Sequence, residues 1–220
     1  MAAGHCQWRR GMRVLDLGCG PGGALRLLRE LGLYCLGLDR SAPALAEARA
    51  VAPCLRADMA RIPLGGNSLD GILCECVLSL ADSPGRTLLE CARVLRPGAY
   101  FACSDISLRG SLSGKSGLLP EAGAARGFPC ALGAMTDADL ALLLRDCGFR
   151  VLLQEDHSAF LRELTARIIW EFGSMDIFFK LWRGSGHPGS CSGLSGLPDQ
   201  EALPPPVPKL GYTLTIAQKE

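Results

Sequence analysis

The sequence predicts an α/β fold: a doubly wound, mostly parallel sheet with helices on both faces. Two observations carry this. Short apolar runs alternate with helix-length stretches as far as residue 105, the βαβα rhythm of a parallel sheet. A glycine-rich turn, Gly18-Cys19-Gly20-Pro21-Gly22-Gly23, joins the first apolar run to the first helix. Turns of that kind bring backbone N–H groups to a ligand.

The elements follow in order. Residues 13–17 read as a buried strand and 21–31 as a helix with Leu25, Leu27, Leu28 and Leu31 apolar. Residues 34–38 form the next strand, ending at Asp39, and 42–51 an Ala-rich helix closed by Pro53. Residues 55–57 are a short strand ending at Asp58, and 65–68 a turn. A strand over 69–76, a helix over 84–95 stopped by Pro97-Gly98, and a strand over 99–105 complete the regular part. The rhythm then breaks: residues 108–135 are rich in Gly and Ser and read as a lid or insert. Order resumes at Thr136-Asp137-Ala138-Asp139, an N-cap and acidic first turn for a helix that Gly148 closes. A strand over 150–154 and a helix over 158–172 follow. Residues 184–208, with Gly, Ser and Pro, read as a flexible segment, and 211–217 alternate as a final strand.

Two hundred and twenty residues suit a single domain spanning 1–220. Hydrophobic residues make up 48% and charged residues 20%, the balance of a soluble globular protein. With a net charge of +1 and no basic run, nucleic acid is not favoured as a partner. No apolar run reaches membrane-spanning length and residues 1–6 hold no signal-peptide core, so a cytoplasmic protein without a membrane partner is expected. Eleven cysteines without a CxxC pair point to reduced thiols rather than disulfides or structural zinc. Cys74, Cys76, Cys91, Cys103 and Cys147 read as core residues.

Gly18, Gly20 and Gly23 also satisfy G-x-G-x-x-G, so a dinucleotide site must be weighed. The charges discriminate. Asp16 stands two residues before the first glycine, a poor place for a carboxylate beside a pyrophosphate. It suits a ligand with an ammonium group and no phosphate. Asp39, about 20 residues beyond the glycines, lies where an acidic residue takes ribose hydroxyls. Asp58 can accept from an adenine amine or cap a helix. Three acidic strand ends match S-adenosylmethionine (SAM) in polarity.

The stretch Val14-Leu15-Asp16-Leu17-Gly18-Cys19-Gly20-Pro21-Gly22-Gly23 resembles motif I of class I SAM-dependent methyltransferases. Leu36-Gly37-Leu38-Asp39 resembles their ribose-binding motif, and Arg56-Ala57-Asp58-Met59 with Ile62-Pro63-Leu64 their adenine-binding motif. Asn67-Ser68-Leu69-Asp70-Gly71-Ile72 resembles the start of their fourth strand, and Arg93-Val94-Leu95-Arg96-Pro97-Gly98 the turn before their fifth. The resemblance implies a Rossmann-like, seven-stranded sheet with an antiparallel last strand. It implies SAM as cofactor, held by Asp16, Gly18, Cys19, Gly20, Gly22, Asp39, Arg40, Asp58, Met59 and Glu75, and a small-molecule methyl acceptor, with a monomer or homodimer as the expected state. Ser104-Asp105-Ile106, Cys130-Ala131-Leu132-Gly133-Ala134 and Cys147-Gly148-Phe149 are similar to arsenite methyltransferases, which implies Cys130 as a metalloid- or thiol-type acceptor ligand.

Methyl transfer from a sulfonium needs a general base only when the nucleophile arrives protonated. Asp105 and Glu75 are the carboxylate candidates near the predicted strand ends, and Cys130 the thiol candidate. Each has a plain alternative: Glu75 as a solvated or ion-paired carboxylate, Cys130 as a small buried hydrophobe. Two other classes stay open, a non-catalytic SAM-binding scaffold and an NAD-linked oxidoreductase; Asp16 speaks against the second.

Overall fold

The computed structural model describes residues 2–109, 133–174, 177–178 and 209–220. Most of the expected lid, the expected flexible segment and Cys130 lie outside these residues. After a short helix α1 (Ala2–His5), the chain alternates β1 (Arg13–Leu17), α2 (Gly23–Glu30), β2 (Tyr34–Asp39), α3 (Ala42–Ala48), β3 (Cys54–Arg56) and β4 (Leu69–Glu75). A single 3-10 turn, Leu78–Leu80, leads to α4 (Pro84–Val94) and β5 (Leu95–Arg109). Then come β6 (Met135–Thr136), α5 (Asp137–Asp146), β7 (Phe149–Asp156), α6 (Ser158–Phe172) and β8 (Lys209–Lys219).

The strands form one sheet in the order β3-β2-β1-β4-β5-β8-β7, with β6 alongside β5. Among the described residues the sheet has eight strands where seven are expected: the extra strand is the two-residue β6, too short to leave a periodic signal. β1 pairs in parallel with β2 and β4, and β8 runs antiparallel to both β5 and β7. The strand order therefore reverses at β1. Ligands of open α/β sheets bind beyond the carboxyl ends at such a reversal.

Side chains alternate across the sheet and build two cores. On one face Leu15, Leu17, Ile72, Cys74, Phe101 and Cys103 meet Leu88 and Cys91 of α4 and Leu144 of α5. On the other Val14, Leu73, Ala102 and Ile216 meet Leu25 and Leu28 of α2 and Leu45 and Ala48 of α3. Leu27 and Leu31 of the predicted apolar face of α2 are exposed; the two-leucine stripe of Leu25 and Leu28 is what this side of the sheet accommodates.

The helix ends follow local chemistry. Thr136 caps α5 by accepting from Asp139 N at 3.1 Å, with Asp137 and Asp139 in the first turn, where the helix dipole favours negative charge. Gly148, at φ +85°, turns the chain out and donates back to the Arg145 carbonyl at 3.0 Å. β5 is longer than expected: Pro97 and Gly98 interrupt its pairing with β4 rather than precede it, leaving a register shift there. None of the described helices is long and apolar enough to cross a membrane.

Candidate functional site

The glycine turn lies at the carboxyl end of β1, between β2 and β4. Gly18, Gly20 and Gly22 all have positive φ, at +76°, +50° and +93°. At Gly18 the close approach is absolute: a Cβ there would sit 2.4 Å from a Val77 methyl. Gly22 is the N-cap of α2, in the left-handed region, and a Cβ would press on the Ala48 backbone at 3.1 Å. The turn is held from behind, since Gly18 N and Cys19 N both donate to the Leu38 carbonyl, at 2.7 and 3.0 Å. Cys19 contributes backbone to the turn while its thiol is buried in the core, and burial raises its pKa.

Asp39 ends β2 and ties the turn to the next helix. Its Oδ2 accepts from Gly20 N at 2.9 Å and its Oδ1 from Ser41 N at 2.8 Å. Arg40 is exposed, and its carbonyl accepts from Arg56 Nε at 3.2 Å.

Two described carboxylates, Asp16 and Asp137, keep a buried oxygen without a partner; Asp137 is ion-paired through its other oxygen to Arg109, and the more deeply buried is Asp16. It is 2% exposed, and its Oδ2 is buried without a hydrogen-bond partner. Burial, then the charges of Glu75 and Asp39, push its carboxyl up to about 7. These three groups thus share one edge. Glu75 is the last residue of β4, opposite Ser104 of β5; it is exposed, and desolvation raises its pKa.

The third expected acidic strand end is displaced. Asp58 lies two residues past β3, exposed, with its Oδ1 accepting from Ala60 N at 2.8 Å. It caps its own turn, and no described interaction joins it to Asp16 or Asp39. Met59 beside it is half-buried and packs against the core that holds Leu38 and Ile62.

Asp105 is 8% exposed within β5. Its oxygens accept from Ser79 N at 2.9 Å, Ser79 Oγ at 2.8 Å and Ile106 N at 2.8 Å. Burial raises its pKa and these hydrogen bonds oppose the rise. It lines a small cavity of about 20 Å³ with Ser107, Thr213 and Asp137.

Four residues at this edge escape a reading of the sequence. Val77 closes over Gly18, and Ser79 holds Asp105. Cys76, read as a core residue, is exposed: its φ of +53° turns the chain out of the sheet. Its thiol lies 3.2 Å from the hydroxyl of Tyr212, on β8. The positive φ at Cys76 has no sequence signal, because glycine or asparagine is the usual mark of that conformation.

Residues 15–103 match a family model described as a methyltransferase domain. A malonyl-(acyl-carrier protein) O-methyltransferase of Enterobacter lignolyticus is 39% identical over 102 residues, covering 45% of this chain and 41% of that protein. A Mycolicibacterium smegmatis protein, named a "probable S-adenosylmethionine-dependent methyltransferase", is 30% identical over 162 residues, covering 71% of this chain and 60% of that one. The chain thus spans less than two thirds of either relative. Among solved structures, the phosphoethanolamine N-methyltransferase 2 of Haemonchus contortus with S-adenosyl-L-methionine aligns with a TM-score of 0.69 at 17% identity, over 96% of this chain and 49% of that one. The (4+2)-cyclase SpnF aligns with a TM-score of 0.68 at 22% identity, over 99% and 79%.

Proposed function

We propose, from the match of residues 15–103 to a methyltransferase domain and from the Rossmann-like sheet that carries them, that this chain transfers a methyl group from SAM to a small-molecule acceptor. The observation that carries the proposal is Asp16. A buried carboxylate with an unpartnered oxygen is costly. A cationic donor repays that cost, and the ammonium of a methionine moiety is such a donor. A pyrophosphate would meet the charges of Asp16, Asp39 and Glu75 with the wrong sign.

The other residues fit the same ligand. Gly18, Gly20 and Gly22 give a turn whose backbone a ligand can approach closely. Asp39, with each oxygen already fixed by a backbone N–H, keeps lone pairs for ribose hydroxyls. Met59 and Asp58 supply an apolar surface and an acceptor for an adenine, with Cys19 and Arg40 bordering through their backbone. When bound there, SAM supplies a methyl on a sulfonium, whose thioether leaves without acid assistance. The chain's own task is orientation and exclusion of water, which is worth several kcal/mol.

Of the base candidates, Asp105 has its oxygens committed to Ser79 and Ile106, so in this proposal it fixes the Leu78–Leu80 turn. Glu75, exposed at the end of β4, takes the proton of an acceptor that brings one. The cysteine-rich composition supports a reducing, cytoplasmic setting.

Calorimetry with S-adenosylhomocysteine (SAH) tests the cofactor, and transfer of labelled methyl to thiols, quinol precursors, trivalent arsenic and a cell extract tests the reaction. Micromolar binding with turnover is expected. No SAH binding at high micromolar concentration overturns the proposal, and binding without turnover across the panel moves the chain to a SAM-binding scaffold.

A further inference from the structure

The edge beside Glu75 carries a second pair of groups. Cys76 continues directly from β4, and its N–H donates to the Ser104 carbonyl at 2.8 Å. That bond fixes it at φ +53°, a conformation that side-chain-bearing residues adopt at a cost and that concentrates at functional sites. Cys76 is exposed as a residue, while its thiol is partly covered by the Tyr212 hydroxyl at 3.2 Å. Tyr212 comes from β8, where it pairs with Ile106, and is pinned on both backbone sides: Tyr212 N donates to Ser158 Oγ at 3.1 Å and its carbonyl accepts from His157 N at 2.7 Å. A strained residue and a pinned phenol, drawn from strands that do not neighbour each other in the sheet, thus meet at the carboxyl end of β4. Glu75 precedes Cys76 at the end of β4, β4 pairs with β1 at Asp16 and Leu73, and Tyr212 reaches Cys76, which puts all four groups at one edge of the sheet.

We infer that Tyr212 and Cys76 form the wall facing the methyl acceptor, and that the acceptor they admit is neutral or cationic at the atom methylated, not a carboxylate. The inference rests on the reading that Asp16 and the glycine turn hold SAM. Both side chains are protonated at neutral pH, because burial raises each above its ordinary range. They therefore face the acceptor as neutral hydrogen-bonding groups. The phenol oxygen keeps a lone pair for the N–H, O–H or S–H of the nucleophile, which aims the nucleophile's own lone pair. Cys76 positions the phenol. Glu75 adjoins Cys76 at the end of β4 and Asp105 adjoins Ile106, the partner of Tyr212, and a carboxylate acceptor would enter against these two carboxyl groups.

Cys76 is itself the reporter. In the full chain, its alkylation is followed by peptide mass spectrometry with neutral iodoacetamide, cationic 2-bromoethylamine and anionic iodoacetate, each rate divided by that of free cysteine. The normalised iodoacetamide rate should exceed that of iodoacetate at least tenfold, with 2-bromoethylamine at or above iodoacetamide. Glu75→Gln should shrink the ratio several-fold. SAH at a concentration that calorimetry shows to be saturating should slow iodoacetamide labelling of Cys76 at least tenfold, and Tyr212→Phe should change the labelling rate several-fold while leaving SAH affinity in place. Normalised iodoacetate matching or outrunning iodoacetamide overturns the acceptor class. Unchanged labelling under bound SAH overturns the wall. Absence of SAH binding in calorimetry is read separately and removes the underlying reading together with this one.

Discussion

Two aspartates sit near the carboxyl ends of two parallel strands, both almost fully buried, and they are treated in opposite ways. Asp105 on β5 is satisfied by the Ser79 backbone and hydroxyl and by Ile106 N. Asp16 on β1 has an oxygen with no partner and a carboxyl pushed up to about 7. The same residue type in the same sheet is a finished structural joint in one place and an unfinished one in the other. Burying a carboxylate is expensive in both places, but only at Asp16 is the missing donor left to a ligand. The difference teaches where to look for a cofactor: at the buried group whose hydrogen bonds are not made inside the chain.

The sharpest way to break the comparison is to exchange the charge at Asp16. Asp16→Asn should weaken SAH binding by about a hundredfold, on the order of 3 kcal/mol. Above about pH 7, where the ligand-free carboxyl ionises, the same change should raise the melting temperature, since it removes an uncompensated buried charge. Calorimetry and thermal melts together check this; retained affinity would make Asp16 a second structural joint. Asp105→Ala should behave in reverse, leaving three donors without an acceptor. It should cost about 2 kcal/mol of stability in denaturant unfolding while SAH affinity stays within a few-fold. Asp39→Ala is intermediate, because Asp39 serves both the turn and the proposed ribose. Its SAH affinity should fall about tenfold, about 1.5 kcal/mol, and an unchanged affinity would remove Asp39 from the site.

The Asp16 side of this contrast is legible in the sequence, for a reason that can be named. Asp16, Gly18, Gly20, Gly22 and Asp39 lie in or next to one β-turn-α unit and its neighbour, so short-range spacing determines their arrangement. The cap at Thr136 and the stop at Gly148 are likewise local, and both stand where the residue types require. Asp58 lies two residues beyond β3, which is only three residues long, so the turn, not the strand, decides where the carboxylate goes. The contact of Cys76 with Tyr212 spans 136 residues and depends on the antiparallel return of β8, which no periodicity encodes. The satisfaction of Asp105 depends on Ser79, placed by a 3-10 turn that carries no sequence signature. What was missed is therefore what arises from the meeting of distant segments.

The central claim is that Asp16 is held protonated by burial until a cation arrives. Its carboxyl rises from the ordinary 3.8 to about 7, so the folded chain holds that proton more tightly than the unfolded one. In the ligand-free protein this contribution to stability is full at low pH and is lost as pH rises through about 7. Binding of an ammonium group requires the ionised form. SAH affinity should therefore climb between about pH 5.5 and 7 and flatten above, with close to one proton released per SAH at the acid end. Calorimetry of SAH binding in buffers of different ionisation enthalpy measures both quantities. A rising affinity with proton release, abolished in Asp16→Asn, is the predicted result. A pH-independent affinity with no proton released would contradict the account.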